Sequence, residues 1–247
     1  MEVHHHPDLH HKEEHFKEYF LEFLMIFLAV TMGFFAENIR ENITDHQRGK
    51  EYIKSYIEDL GQDSITLQHA LVSISIEINY LDSAMILLQQ RDLKQNMASN
   101  YYYARQATRF QSFSFAERTI IQLTNAGGFR LINNEAADSI LYYQSLIERY
   151  KVGQGTETEE SKLLYPFIAK VFDGRIFVSM TDSLNQIKMP AGNPLLKSED
   201  IGAIGDLIYY LHQKRSTFFT QKLRVKKMLA EAGSIKKFLY HLYHFNE

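Results

Sequence analysis

A nearly uncharged apolar segment constrains this chain more than any other feature of its sequence. Residues 23–36 read FLMIFLAVTMGFFA, and three apolar residues at 19–21 extend the segment backward, so that Glu22 is the only charge within residues 19–36. At 1.5 Å per residue, about 18 residues span about 27 Å, close to the thickness of a bilayer core. Apolar residues occupy every side of such a helix instead of one stripe. We predict a transmembrane anchor at residues 16–37, with a buried core helix or an interfacial helix as alternatives.

The charges that flank this segment leave the orientation of the anchor open. Two lysines precede it, and four basic residues come after it: Lys12 and Lys17, then Arg40, Arg48, Lys50 and Lys54. By the positive-inside rule, this count favours a cytoplasmic C-terminal domain. An uncleaved N-terminal anchor more commonly leads to export of the C-terminal domain, and the absence of cysteine is compatible with either compartment. The predicted localisation is therefore the cell membrane, single-pass, with the side of the C-terminal domain unresolved.

The remainder of the chain has the composition of one helical domain. Its apolar residues recur every three or four positions, with little of the alternation that marks strands. Only 4 prolines and 12 glycines occur in 247 residues, and no linker composition separates one part from another. The predicted fold class is all-α: a His-rich polar tail at 1–15, the anchor at 16–37, and a helical extramembrane bundle at 38–247. The net charge of −3 gives no reason to expect nucleic acid as a partner.

A heptad seam lies C-terminal to the anchor. Apolar residues alternate at steps of four and three: Leu67, Leu71, Ile74, Ile78, Leu81, Met85 and Leu88. The same phase runs backward as far as Ile39 and Ile43, which favours one helix from the anchor to about Leu93. The alternative is a hairpin in which Gly61 ends one helix. The seam packs inside a monomeric bundle or associates with a second copy or another protein.

Capping and breaking residues divide the rest into a bundle of four to six helices. A helix at 115–125 is expected to end at Gly127 and Gly128, and Asn133 or Asn134 to cap the next one. That helix is expected to loosen near its C-terminal end at a pair of glycines. A further helix is expected at 158–172, and Ser198 is expected to cap the last helix. The glycine pair comprises Gly153 and Gly155.

The last helix carries a basic stretch with a predicted break at Gly233 and Ser234. Between residues 214 and 237 the only acid is Glu231, against eight basic residues: Lys214, Arg215, Lys222, Arg224, Lys226, Lys227, Lys236 and Lys237. We expect the apolar side of this helix to pack in the bundle and the basic residues to form a solvated face. The alternative is contact with an anionic lipid surface.

Four side chains near the anchor have the spacing of metal ligands. His11, His15, Glu18 and Glu22 fall on one helix face, and imidazole and carboxylate bind zinc or other transition metals. Ligands from a single helix leave the coordination shell of a metal ion incomplete. A solvated His-rich tail is therefore the simpler interpretation, and no metal ligand is assigned. Glu22 is interpreted as an interfacial residue because it lies about one turn inside the segment.

Catalytic signatures are absent from the sequence. It contains no G-x-S-x-G elbow, H-E-x-x-H pair, P-loop or cysteine nucleophile. We therefore expect no enzyme, no catalytic residue and no cofactor.

Four short motifs carry a resemblance to other proteins. They are GFFAEN at residues 33–38, with Tyr52-Ile53 and Glu58-Asp59-Leu60 after it, and LTNAGGFRLI at residues 123–132. With these motifs the chain resembles uncharacterised single-pass bacterial membrane proteins that carry helical extramembrane domains. The resemblance implies the architecture but no activity, ligand or catalytic residue.

The expected function is a binding, scaffolding or sensing role within a membrane complex. Membrane lipid is the expected partner, with a homo-oligomer or another protein at the seam. The alternative is an oligomeric ion- or metal-handling membrane protein that uses the His-rich face.

Overall fold

The structure, a computed structural model, describes the backbone of residues 11–245 and the side chains of residues 16–245. Within that range the chain is all-α, as predicted, and contains no strand beyond an isolated bridge between Thr181 and Ile187. The described residues form six α-helices: α1 (His11–Leu88), α2 (Met97–Gln106), α3 (Arg118–Asn125), α4 (Asn134–Val171), α5 (Gly174–Ser179) and α6 (Ile201–Leu242). Short 3-10 helices occupy Leu93–Asn96 and Gly128–Leu131.

The chain divides into two units, Met1–Glu51 and Tyr52–Glu247, and each is described by itself. In the second unit, helix α1 passes through Gly61 without a break, so the predicted long helix is confirmed and the hairpin does not form. The helix ends at Leu88, earlier than the expected Leu93, because the chain turns there. Asp92 then caps a 3-10 helix by accepting a hydrogen bond from the Lys94 N–H at 3.0 Å.

The seam of α1 is buried in the bundle of the second unit. From Ile53 onward, the side chains on this face contribute to one hydrophobic core: Ile53, Tyr56, Ile57, Leu60, Leu67, Ala70, Ile74, Ile78, Leu81, Ala84, Met85 and Leu88. Residues on the opposite side, such as Val72 and Ile86, are exposed. Packing within the bundle accounts for the heptad spacing in this part of the chain.

Two buried aspartates on successive turns of α1 fix the start of α3. Asp59 accepts a hydrogen bond from the Thr119 N–H at 3.0 Å and contacts the Arg118 guanidinium at 3.3 Å. Asp63 accepts from the Ala116 N–H at 2.8 Å. Burial raises the pKa of Asp63 to about 6, although the Ala116 N–H opposes this shift. These carboxylates satisfy amide groups at a helix N-terminus that would otherwise lack partners.

The end of α3 and the start of α4 agree with the predicted helix stop and the predicted N-cap. Gly127 has a φ of +63°, a backbone conformation that only glycine adopts at little cost. Gly128 packs against Leu123 and Tyr52, where an added Cβ would approach within 3.0–3.1 Å of their side chains. Asn133 caps α4 by accepting a hydrogen bond from the Glu135 N–H at 2.7 Å.

Helices α4 and α6 are longer than predicted. The expected loosening at the glycine pair and the separate helix at 158–172 are wrong, because α4 continues to Val171. Gly153 instead lets the Gln221 side chain approach, and this amide donates to the Tyr150 carbonyl at 3.0 Å. Helix α6 likewise continues through Gly233 and Ser234, so the break predicted there is absent. Packing against a neighbouring helix offsets the low helix propensity of glycine.

The segment between α4 and α6 is held by polar caps. Asp173 caps α5 by accepting from the Arg175 N–H at 2.9 Å. Asp200, and not Ser198, caps α6 by accepting from the Ala203 N–H at 2.7 Å. Ser198 lies just outside the helix and accepts from the Asp200 N–H at 3.2 Å. Because α4 and α6 run antiparallel, residue pairs such as Ser161 with Lys214 and Tyr142 with Glu231 meet along their length.

Candidate functional site

Large apolar side chains surround the first part of α1. Thirteen of them are exposed between residues 16 and 35: Phe16, Tyr19, Phe20, Leu21, Phe23, Met25, Ile26, Phe27, Leu28, Val30, Met32, Phe34 and Phe35. We call this set the apolar belt. The exposed fractions run from 48% at Leu28 to 72% at Phe16, so no side of the helix is covered. Soluble proteins rarely expose an apolar patch of this size.

The belt lies in the one helix, among the described residues, that is long and apolar enough to cross a membrane. None of its most apolar window is buried in the structure. Core helices of soluble proteins and signal sequences can also be this apolar over such a length, but a core helix is mostly buried. The hydroxyl of Thr31 donates to the Phe27 carbonyl at 2.7 Å, so this polar group is satisfied within the helix.

The sequence-predicted metal face is described only in part. The side chains of His11 and His15 lie outside the described side chains, and so do the histidines at positions 4, 5, 6 and 10. Glu18 and Glu22 are exposed on α1. In the described part of the chain, no group of three or more His, Asp or Glu side chains is placed to hold a metal ion. The metal alternative stays a prediction, because the side chains of its two histidines lie outside the described residues.

A lysine that the sequence places on a solvated face is instead fully buried. Lys214 on α6 has 0% exposure, and its ammonium donates to the Ala107 carbonyl at 2.7 Å, the Arg109 carbonyl at 3.1 Å and the Ser161 hydroxyl at 2.7 Å. All three donors are thus used. The interpretation of the basic stretch as a solvated face is wrong at this residue because Lys214 joins α6 to α4 and to the segment after α2.

Three carboxylates from two other helices lie close enough to attract the charge of this ammonium. Glu77 comes from α1, and Glu157 and Glu160 come from α4; with Lys214 they form what we call the lysine cluster. One oxygen of each carboxylate is buried without a hydrogen-bond partner among the described residues: Glu77 Oε2, Glu157 Oε1 and Glu160 Oε2. The other oxygen of Glu160 accepts from the Thr217 hydroxyl at 2.8 Å.

Burial shifts the proton affinity of every member of the lysine cluster. Removal from water raises the pKa of Glu77 and of Glu157 to about 7, although the charge of Lys214 opposes both shifts. Burial also raises the pKa of Glu160. The pKa of Lys214 falls to about 8 because of burial, against the attraction of the three carboxylates. The pKa values of Glu77, Glu157 and Lys214 therefore lie near neutral pH.

A cavity of about 410 Å³ opens between the C-terminal half of α4, α5 and the end of α2. Its walls are mostly apolar, with Ile168 and Phe172 as buried residues and Tyr165 and Phe177 at the sides. Arg105 and Lys197 supply positive charge to the lining. Asp173 also lines the cavity, but both of its oxygens accept from the Arg175 side chain, at 2.6 and 3.1 Å.

Tyr101 holds the wall of this cavity in place. Its hydroxyl donates to the Leu195 carbonyl and accepts from the Asp173 N–H, each at 3.0 Å. Its ring packs edge-on against Phe172 and Phe177, with centroids 4.9 and 5.5 Å away. One buried side chain thus fixes α2, α5 and the loop before α6 in a single arrangement.

The sequence carries no signal that would have found the cavity or the lysine cluster. Their residues lie on elements far apart in the chain, and each has the spacing of an ordinary helix residue. No protein-family model matches the chain, and comparison with curated proteins and with solved structures finds no match. The resemblance to single-pass membrane proteins accordingly stays an expectation.

Proposed function

We propose that this protein is a single-pass membrane protein whose helical bundle has a binding or scaffolding role in a membrane complex. The single observation that carries the proposal is the apolar belt, which is exposed on all sides of α1. A bilayer covers such a surface without any shape complementarity. Membrane lipid is therefore the proposed partner of the belt, and the cell membrane is the proposed location.

The free energy of covering the belt is large. A large apolar side chain that leaves water gains about 1.5–3 kcal/mol, and these side chains are about half exposed. Thirteen of them favour transfer to hydrocarbon by on the order of 10 kcal/mol. This gain exceeds the cost of Glu22, which lies about one turn inside the segment, where its carboxylate reaches the interface.

The exposed seam residues beside the belt favour a helical partner there. Ile39 and Ile43 continue the phase of the buried seam but remain exposed. Two β-branched residues one turn apart fit the packing of a second helix. We propose a homo-oligomer or another membrane protein as the partner of this short face.

The proposal is tested by extraction of membranes with alkaline carbonate and then by protease treatment of intact spheroplasts. We expect the full-length chain to stay in the carbonate-resistant membrane fraction. A matched pair of variants adds specificity: Phe27→Arg together with Leu28→Arg is expected to release the chain, and Val72→Arg, on an exposed face of the bundle, is expected to leave it in the membrane. Wild-type protein in the soluble fraction would refute the anchor.

Protease treatment then gives the side of the bundle. Digestion in intact spheroplasts indicates a bundle outside the cell, and protection indicates a cytoplasmic one. The size of the purified chain separates an anchor from a cleaved signal sequence, because cleavage after the belt would remove several kilodaltons.

A further inference from the structure

The cavity bounded by α2, α4 and α5 has the size and lining of a small-molecule site. Its volume of about 410 Å³ lies within the range of about 300–1,000 Å³ that is typical of ligand pockets. Such pockets combine apolar walls with a few fixed polar groups. Here the walls are aromatic and aliphatic, and the polar groups are predominantly cationic.

Arg105, which lines this cavity, lacks a full set of hydrogen-bond partners. Its Nη1 donates to the Thr108 hydroxyl at a long 3.3 Å, and its Nε is buried with no hydrogen-bond acceptor among the described residues. Its guanidinium carbon lies 6.0 Å from the centre of the Phe177 ring. Guanidinium remains charged at all physiological pH values, so an acceptor supplied from the cavity would add to the single long hydrogen bond that the terminal nitrogens of Arg105 make among the described residues.

The charge balance of the lining favours an anion. Asp173 is the one acidic residue that lines the cavity in the described structure, and it is paired with Arg175. Lys197 adds a second positive charge, and its ammonium makes one hydrogen bond, to the Ala169 carbonyl at 2.8 Å. The charges of Asp173 and Arg175 cancel each other. Arg105 and Lys197 therefore give the cavity a positive electrostatic potential beside its apolar walls.

We propose that this cavity binds a small organic acid with an apolar body, with the ligand carboxylate at Arg105 and the body against Ile168, Phe172 and Phe177. A carboxylate matches the planar donor geometry of a guanidinium, and the aromatic walls exclude water from the rest of the ligand. Fatty acids released from lipid and soluble aromatic acids share this chemistry. The site gives a ligand class to the binding role proposed above, on which this inference rests.

The test is calorimetric titration of the full-length protein in phosphatidylcholine nanodiscs, with empty nanodiscs as the baseline. The probes are 2-naphthoate and octanoate, each compared with its neutral alcohol. We expect one acid per chain, bound at least about tenfold more tightly than the alcohol. Binding of octanoate alone supports a lipid-derived acid, binding of naphthoate alone supports an aromatic one, and binding of both supports the shared chemistry.

Three variants assign the binding to this cavity. Arg105→Gln is expected to weaken acid binding at least about tenfold and to leave alcohol binding unchanged. Ala169→Phe, which fills the cavity, is expected to abolish both, and Lys226→Gln, at an exposed position on α6, to change neither. Thermal unfolding of each variant establishes that it is folded.

Any of three results would overturn the inference: equal affinity for acid and alcohol, unchanged acid affinity in Arg105→Gln, or heats for both acids that are no larger than those of empty nanodiscs. The carbonate extraction depends on the belt and not on the cavity. Failure of the ligand site is therefore distinguishable from failure of the membrane anchor.

Discussion

Lys214 shows how one residue departs from the pattern of its surroundings. Seven other basic residues lie beyond it within the stretch 214–237, yet this one is buried and donates to two backbone carbonyls and a hydroxyl. Burial of a charge is costly unless hydrogen bonds and opposite charges compensate it. Here the compensating groups come from α1, α4 and the segment after α2. Sequence spacing alone cannot identify partners so far apart.

Replacement of Lys214 is predicted to destabilise the bundle strongly. Lys214→Met removes the ammonium and leaves the Ala107 and Arg109 carbonyls without their donor, so we expect a loss of about 3 kcal/mol in the free energy of unfolding at pH 7. The measurement is urea denaturation of the full-length chain in nonionic detergent, monitored by circular dichroism. Lys226→Met, at an exposed position of the same helix, is the control and should change stability by less than about 0.5 kcal/mol. An equally small effect at Lys214 would show that the buried ammonium is dispensable.

The carboxylates of the lysine cluster predict how stability depends on pH. The pKa of Glu157 is raised to about 7 from an ordinary value of 4.5, so the folded state binds a proton more strongly than the unfolded state. This contribution to stability is present below pH 4.5 and is lost as the pH rises to about 7. A glutamine at position 157 does not titrate, so the Glu157→Gln variant lacks this loss of stability. We therefore expect its free energy of unfolding to rise by about 1–3 kcal/mol relative to that of wild type as the pH increases from 5 to 8.

The control for this pH dependence is a neighbouring exposed carboxylate. Glu159 pairs with Lys162 at the surface, and Glu159→Gln should leave the difference from wild type nearly constant between the same two pH values. Denaturation of the three proteins at pH 5 and pH 8 gives the comparison. Parallel behaviour of Glu157→Gln and wild type would contradict a raised pKa at this site.

At the scale of elements, α4 and α6 show why local signals misplaced the helix ends. Glycine pairs are ordinarily helix breakers, and the sequence offers a glycine pair in α4 and a Gly-Ser pair in α6. Antiparallel packing keeps both helices intact, and at Gly153 the missing side chain makes room for Gln221. The cap at Asn133 and the stop at Gly127 were predictable because they depend on adjacent residues. Contact across helices depends on residues about 70 positions apart.

The two glycines of α4 are predicted to respond in opposite directions to the same substitution. Gly153→Ala places a methyl group against the buried Gln221 side chain, so we expect a loss of about 1–3 kcal/mol in the free energy of unfolding. Gly155→Ala meets no atom within 4 Å and should stabilise the helix by about 0.5–1 kcal/mol through helix propensity. Urea denaturation of both variants decides the matter. Stabilisation by both substitutions would mean that α4 and α6 are not in close contact.

The seam of α1 was predictable, because heptad spacing identifies the buried face whatever the partner. We predict that Leu67→Ala, at a fully buried position, lowers the free energy of unfolding by about 2–5 kcal/mol. Val72→Ala, on the exposed face, should change it by less than about 0.5 kcal/mol. The same denaturation assay compares them, and similar effects at the two positions would contradict the assignment of faces.

For the whole molecule, composition and periodicity sufficed for the all-α class, the long first helix and the apolar belt, since each depends on residues close together in the chain. The lysine cluster and the cavity could not be predicted in this way. Each gathers single residues from three or more elements, and none of these residues is unusual in its local context. The anchor is the central claim about the molecule, because the proposed location and lipid partner depend on it.

A cysteine scan with nitroxide labels tests this claim most directly. The chain has no cysteine, so each single substitution across residues 22–32 carries one label without background. In phosphatidylcholine vesicles we predict that every labelled position is accessible to oxygen and protected from a water-soluble nickel complex, with the greatest contrast near residues 26–28. Such a profile without helical periodicity indicates a helix surrounded by lipid. Accessibility to the nickel complex that recurs every three to four residues would place the helix at an interface or against protein, and would contradict the transmembrane anchor.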